Sequence, residues 1–99
     1  MRVISRKTLR AFWEQSDFLD SEQALKAWYD EATKANWKTP NEIKAHYKNA
    51  SILKDGRVVF NIHGNTYRLI VRINYNFSTI YIRFIGTHKA YDNINANEV

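Results

Sequence analysis

The sequence predicts an α+β domain with helices in its first half and an antiparallel sheet in its second, and two observations carry that reading. Up to about residue 50 the apolar residues recur at three- and four-residue spacing behind helix-start signals. From Arg57 onward they alternate with period two in a stretch rich in Val, Ile, Tyr and Phe. Ninety-nine residues, 44% of them hydrophobic, suit one domain spanning 1–99 with a single core and no room for a second.

The elements follow in order. Met1 to Ile4 is apolar enough for a short first strand. Ser5 is placed to cap a helix in which Leu9, Phe12 and Trp13 share a face. Asp20-Ser21-Glu22-Gln23 reads as a capping box opening a second amphipathic helix, whose stripe is Leu25, Trp28, Tyr29 and Ala32. Thr39-Pro40-Asn41-Glu42 is another capping box, with Pro at the first helical position, and opens a short helix through Ile43 and Tyr47.

Three strands joined by hairpins should fill the second half. A tight turn at Gly64-Asn65 pairs Ile62 with Tyr67, Phe60 with Leu69 and Val58 with Val71. A turn centred on Asn76-Phe77 pairs Ile73 with Ile80, Val71 with Ile82 and Leu69 with Phe84. One face then carries Val58, Phe60, Ile62, Tyr67, Leu69, Val71, Ile73, Ile80, Ile82 and Phe84, and the helices should pack on it. The other carries Arg57, Asn61, His63, Arg68, Arg72, Tyr81 and Arg83 among Val59, Ile70 and Ile85. Gly86-Thr87-His88 ends the last strand, with Thr87 as N-cap of a short helix over His88 to Asn95.

Charge follows the strands. The formal net charge is +5. Residues 1–55 hold ten Lys/Arg against eight Asp/Glu, residues 56–91 five against none, and residues 92–99 none against two. Arg57 opposite Arg72 is a like-charge pair that costs stability, and a sheet built only for packing would intersperse acids here. A solvated basic edge that discourages aggregation is the plain alternative. The combination of arginines with Asn61, His63 and Tyr81 favours an anion-binding surface for nucleic acid, because guanidinium forks hold phosphates while aromatic and amide groups stack on and read bases.

The chain has no cysteine, which excludes disulfides and thiolate metal sites and suits a reducing compartment. No continuous apolar run follows Arg2, Arg6, Lys7 and Arg10, so neither a signal peptide nor a membrane-spanning helix is expected, and the cytoplasm is the default. His46, His63 and His88 have no metal-site spacing, and no cofactor motif is present: Gly56, Gly64 and Gly86 are isolated.

A metal-free RNA-cutting enzyme must activate a ribose 2′-hydroxyl, protonate the leaving 5′-oxygen and stabilise charge on the phosphate. In the expected register Arg68 lies diagonally across from Arg83, so both can hold one scissile phosphate. His88, Tyr91 or Tyr81 would then move the protons, while Lys54, Arg57, Arg72 and Lys89 track the neighbouring backbone. A non-catalytic RNA- or ribosome-binding module with the same basic face is the alternative.

The stretch Val58-Val59-Phe60-Asn61-Ile62-His63-Gly64-Asn65-Thr66-Tyr67-Arg68-Leu69, together with Ile82-Arg83-Phe84-Ile85-Gly86-Thr87-His88-Lys89-Ala90-Tyr91-Asp92, resembles the HigB branch of the RelE-type toxins. Trp37-Lys38-Thr39-Pro40 is similar too, and the resemblance covers essentially the whole chain. It implies a RelE-like fold, with N-terminal helices on one face of a curved antiparallel sheet and a short C-terminal helix. It further implies a ribosome-dependent mRNA endonuclease held inactive by a cognate HigA-type antitoxin, which carries a helix-turn-helix domain and takes the complex to operator DNA. Arg68, Arg83, His88 and Tyr91 fall on the family's strand and C-terminal motif positions. Ala90 stands where family members often carry an acid, which leaves Thr87 without a capping-box partner.

Overall fold

The computed structural model describes every residue from Met1 to Val99. Its elements are β1 (Arg2–Ile4), α1 (Arg6–Trp13), a 3₁₀ segment (Ser16–Ser21), α2 (Glu22–Lys34), α3 (Pro40–His46), β2 (Ser51–Ile52), β3 (Arg57–Ile62), β4 (Tyr67–Asn74), β5 (Thr79–Thr87) and α4 (His88–Asp92). The strands form one sheet in the order β1-β5-β4-β3-β2. The β2–β3, β3–β4 and β4–β5 pairs are antiparallel, but β1 runs parallel to β5, so the sheet is mixed at one edge. A long connection through the helical layer permits this, since a parallel neighbour cannot be reached by a hairpin.

The helical layer closes over the sheet through the expected stripes. Leu9, Phe12 and Trp13 of α1, Leu25, Trp28 and Ala32 of α2, and Ile43 of α3 bury against Val58, Phe60, Ile62, Leu69, Val71, Ile73 and Ile80. At α3 the expected cap forms, with Thr39 Oγ1 accepting from Glu42 N at 3.4 Å, while Glu42 Oε2 reaches one residue past the cap and accepts from Lys38 N at 3.2 Å. The expected box at Asp20–Gln23 does not. A 3₁₀ turn precedes α2, Ser21 Oγ donates to Phe18 O at 2.7 Å, and Asp20 instead accepts from the Tyr67 hydroxyl across the domain. A long-range hydrogen bond to a strand has displaced a local cap. Ser5 does start α1, but its hydroxyl meets Thr8 Oγ1 at 3.3 Å rather than a backbone amide.

β1 is tied down at its start. The Met1 amino group donates to Ala32 O, Thr33 O and Ala35 O at 3.1, 2.8 and 2.8 Å, so a positive charge sits on the carbonyls ending α2, where the helix dipole favours it.

The first hairpin has the expected register, including Arg57 opposite Arg72 and Asn61 opposite Arg68. The second begins as expected, with Ile73 opposite Ile80 and Val71 opposite Ile82, and then slips. A bulge lies between Ile70 and Val71, so Ile70 faces Phe84, Leu69 faces Ile85 and Arg68 faces Gly86. Arg83 is the extra residue. A bulge leaves one residue of the longer strand unpaired and shifts all that follows to the opposite face. Ile85 therefore joins the core and Phe84 moves to the arginine face, the reverse of the alternation read from sequence. β2 was not expected either. Asp55-Gly56, at φ +58° and +76°, makes the tight turn between β2 and β3.

The face away from the helices is not an open field of arginines. Val59 and Ile70 are 2% and 0% exposed yet lie outside the main core. α4 packs against β4 and β5, and the C-terminal segment beyond it returns to β3, where Val99 accepts through its main-chain oxygen from Arg57 Nε at 3.2 Å. Ile94, Ala96 and Val99 are half-buried along this strap, and Arg57 is only 9% exposed.

Candidate active site

The bulge divides the expected site residues into two groups at opposite ends of the arginine face. At one end, Arg68 of β4 meets α4. Its guanidinium donates to Asn65 O at 3.1 Å, Tyr67 O at 3.3 Å and Asn65 Oδ1 at 3.3 Å, and its Cζ lies 5.9 Å from the centre of the Tyr91 ring. Asn61 Nδ2 donates to the same Asn65 Oδ1 at 3.4 Å. The Tyr91 and His88 rings lie 6.4 Å apart.

α4 forms although Ala90 offers no reciprocal cap: Thr87 Oγ1 accepts from Ala90 N at 3.0 Å. It ends at Asp92 rather than Asn95. Asp92 is a member of this group that the sequence reading passed over. Its Oδ2 lies 3.2 Å from His88 Nδ1, a spacing of one helical turn that the His88-x-x-x-Asp92 pattern signals. A carboxylate at Nδ1 keeps the proton there and leaves Nε2 as the nitrogen that exchanges with a substrate.

At the other end, Arg72, Tyr81 and Arg83 line a cleft of about 590 Å³ with Asp55, Asn74, Tyr75 and Asn76. Arg72 Nε donates to the main-chain oxygen of Asp55 at 3.1 Å. Arg83 thus stands with Arg72 and Tyr81, and not diagonally across from Arg68 as an unbulged strand would place it. Asp55 escaped notice because it falls one position before the acid-free stretch, although Asp-Gly between two short apolar segments is a hairpin signal.

The remaining expected residues are dispersed. Lys54 and Lys89 are exposed, and Arg57 lies beneath the strap. His63 does not join the arginine face: at φ +55° it turns to the helical side, with Nε2 3.7 Å from Asp20 Oδ2. Asp20 bridges His63 and Tyr67. Burial first, then the hydrogen bond to Asp20, and then the charges of Asp20 and Asp17 push the Tyr67 phenol up to about 12. Nowhere do three carboxylate or imidazole side chains gather to hold a metal ion.

No arginine side chain pairs with an Asp or Glu; the five carboxylates that form ion pairs do so with lysines and histidines. A model of the HigB toxins, RelE-like toxic components of toxin–antitoxin systems, matches residues 21–94. The chain belongs to the HigB toxin family. Its curated relatives include an mRNA interferase toxin HigB from Escherichia coli strain K12, 30% identical over 94 residues that cover 93% of this chain and 88% of the relative. The mRNA interferases HigB of Escherichia coli O157:H7 and Shigella flexneri match at the same identity and coverage. The family match spans both groups of site residues, and membership in a toxin–antitoxin system brings an antitoxin as the HigB chain's partner.

Proposed function

We propose that this HigB-family chain is an mRNA endonuclease that cuts messages on the ribosome in the cytoplasm, using the group at α4. The observation that carries the reading is the meeting of Arg68, Tyr91 and His88 on an arginine-rich face, with Asp92 holding the imidazole. Binding alone needs no such group, because phosphate-tracking cations serve without an oriented imidazole.

In the proposed reaction the ribose 2′-oxygen attacks phosphorus as its proton leaves, the bond from phosphorus to the 5′-oxygen breaks, and that oxygen takes up a proton. His88 and Tyr91 exchange these two protons. Arg68, already oriented by the Asn65 turn, stabilises charge on the phosphate without reorganising. Asn61 and Lys89 flank the cut, while Arg72, Arg83, Tyr81 and Lys54 hold RNA further along the face. A HigA-type antitoxin with a helix-turn-helix domain silences the toxin and carries the pair to operator DNA.

The test is single-turnover cleavage on ribosomes programmed with a defined mRNA. Arg68→Ala and His88→Ala should each slow cleavage about 10²- to 10³-fold with ribosome binding retained. Intact mRNA with the unaltered protein, in cells and on ribosomes, would overturn the nuclease reading in favour of a binding module.

A further inference from the structure

None of Arg68, His88 and Tyr91 lines the cleft of Arg72, Tyr81 and Arg83. Arg83 precedes His88 by five residues, which along a strand is roughly 16 Å. A general base must come within about 3 Å of the proton it takes. Stacked nucleotides advance about 3.4 Å each, so several of them separate the two ends.

The cleft has the parts of a nucleotide subsite. Arg72 and Arg83 offer guanidinium groups for phosphate, and Tyr81, 41% exposed, offers a ring face for stacking. One member does not fit a site for phosphate alone. Asp55 lines the same cleft, and its carboxylate makes neither an ion pair nor a hydrogen bond. A free carboxylate among phosphate-binding cations weakens phosphate binding, so a cleft shaped only for the backbone would not contain one. It is well suited to the donor edge of an unstacked base.

We propose that this cleft binds one base of the mRNA away from the cut, stacked on Tyr81, and that Asp55 selects bases carrying an exocyclic amino group over uracil. The inference rests on the nuclease reading and adds to it a place where the message is read. A base without the amino group leaves the carboxylate facing a carbonyl oxygen. The loss from one such mismatch is about ten- to a hundredfold.

Asp55→Asn isolates the carboxylate. Asn tolerates the left-handed conformation at this turn and keeps the main-chain oxygen that anchors Arg72. Cleavage would be measured on ribosomes programmed with mRNAs that vary one base at a time on both sides of the cut. The unaltered protein should discriminate against uracil about tenfold or more at one position several nucleotides from the cut. Asp55→Asn should flatten that preference while cutting the other mRNAs, and Tyr81→Ala should raise KM about tenfold or more with kcat little changed. An identical base profile for Asp55→Asn and the unaltered protein would overturn the inference and leave the nuclease reading standing. No cleavage of any mRNA by the unaltered protein would overturn both.

Discussion

Arg68 is held as a fork rather than as a charge. Its donors reach two main-chain oxygens and one amide oxygen of the Asn65 turn while its plane meets Tyr91. A lysine keeps the charge but neither the fork nor the fixed plane, so Arg68→Lys should lose cleavage nearly as steeply as Arg68→Ala in single-turnover assays. Equal activity of the lysine variant would mean that charge alone matters there. Tyr67 makes a different claim, about stability. The folded chain holds its phenolic proton more tightly than the unfolded chain, whose phenol titrates near 10. Its contribution is therefore whole below about pH 10 and is lost as pH rises through about 12. Denaturant unfolding across that window should show a falling midpoint in the unaltered protein and a shallower fall in Tyr67→Phe.

At the scale of elements, local signals were legible and long-range ones were not. The stripes of α1 and α2, the cap of α3 and the first hairpin follow from spacing and turn chemistry inside single segments. The bulge at Arg83 left no mark, because Ile82-Arg83-Phe84-Ile85 reads equally well as plain alternation; the register is decided by what each side of β5 must pack against. The failed cap at Asp20 has the same origin, since a carboxylate within reach of Tyr67 has a better use than a nearby amide. The strap was invisible for a related reason: nothing in Asn93 to Val99 has a period. Its effect can be measured. Deleting residues 94–99 should uncover Val59 and Ile70 and lower stability, while releasing Arg57 so that the salt dependence of RNA binding steepens by about one ion. An unchanged slope would show that Arg57 does not reach RNA. The β2–β3 turn is less forgiving. A Cβ on Gly56, at φ +76°, would stand 2.5 Å from the main-chain oxygen of Ile73, so Gly56→Ala should destabilise by about 1–3 kcal/mol in thermal or denaturant unfolding.

For the whole molecule, the distribution of charge matters more than its sum. Five of the ten side-chain carboxylates pair with lysines and histidines and none with an arginine, leaving the arginines to be neutralised from outside. In the proposed reaction RNA meets that need. In the complex, acidic side chains of the antitoxin should meet it, and the affinity of the pair should then fall as salt is raised. Titration calorimetry at several ionic strengths would check this; a flat profile would mean that the antitoxin works by bulk. The acid-free stretch made the existence of this face legible from the sequence alone. Its division into an α4 end and a cleft depends on one extra residue in one strand.

The amino group of Met1, bound by three carbonyls at the end of α2, has a practical consequence for anyone handling the protein. A purification tag fused ahead of Met1 converts that ammonium into an amide with one N–H, so two of the three acceptors lose their donor and the joint between first strand and second helix loosens. Cells carrying such a fusion would tolerate it better for reasons unrelated to catalysis. Loss-of-toxicity screens built on amino-terminal fusions would then score weakened folding as a dead active site, and the same variants should be compared with the amino terminus free.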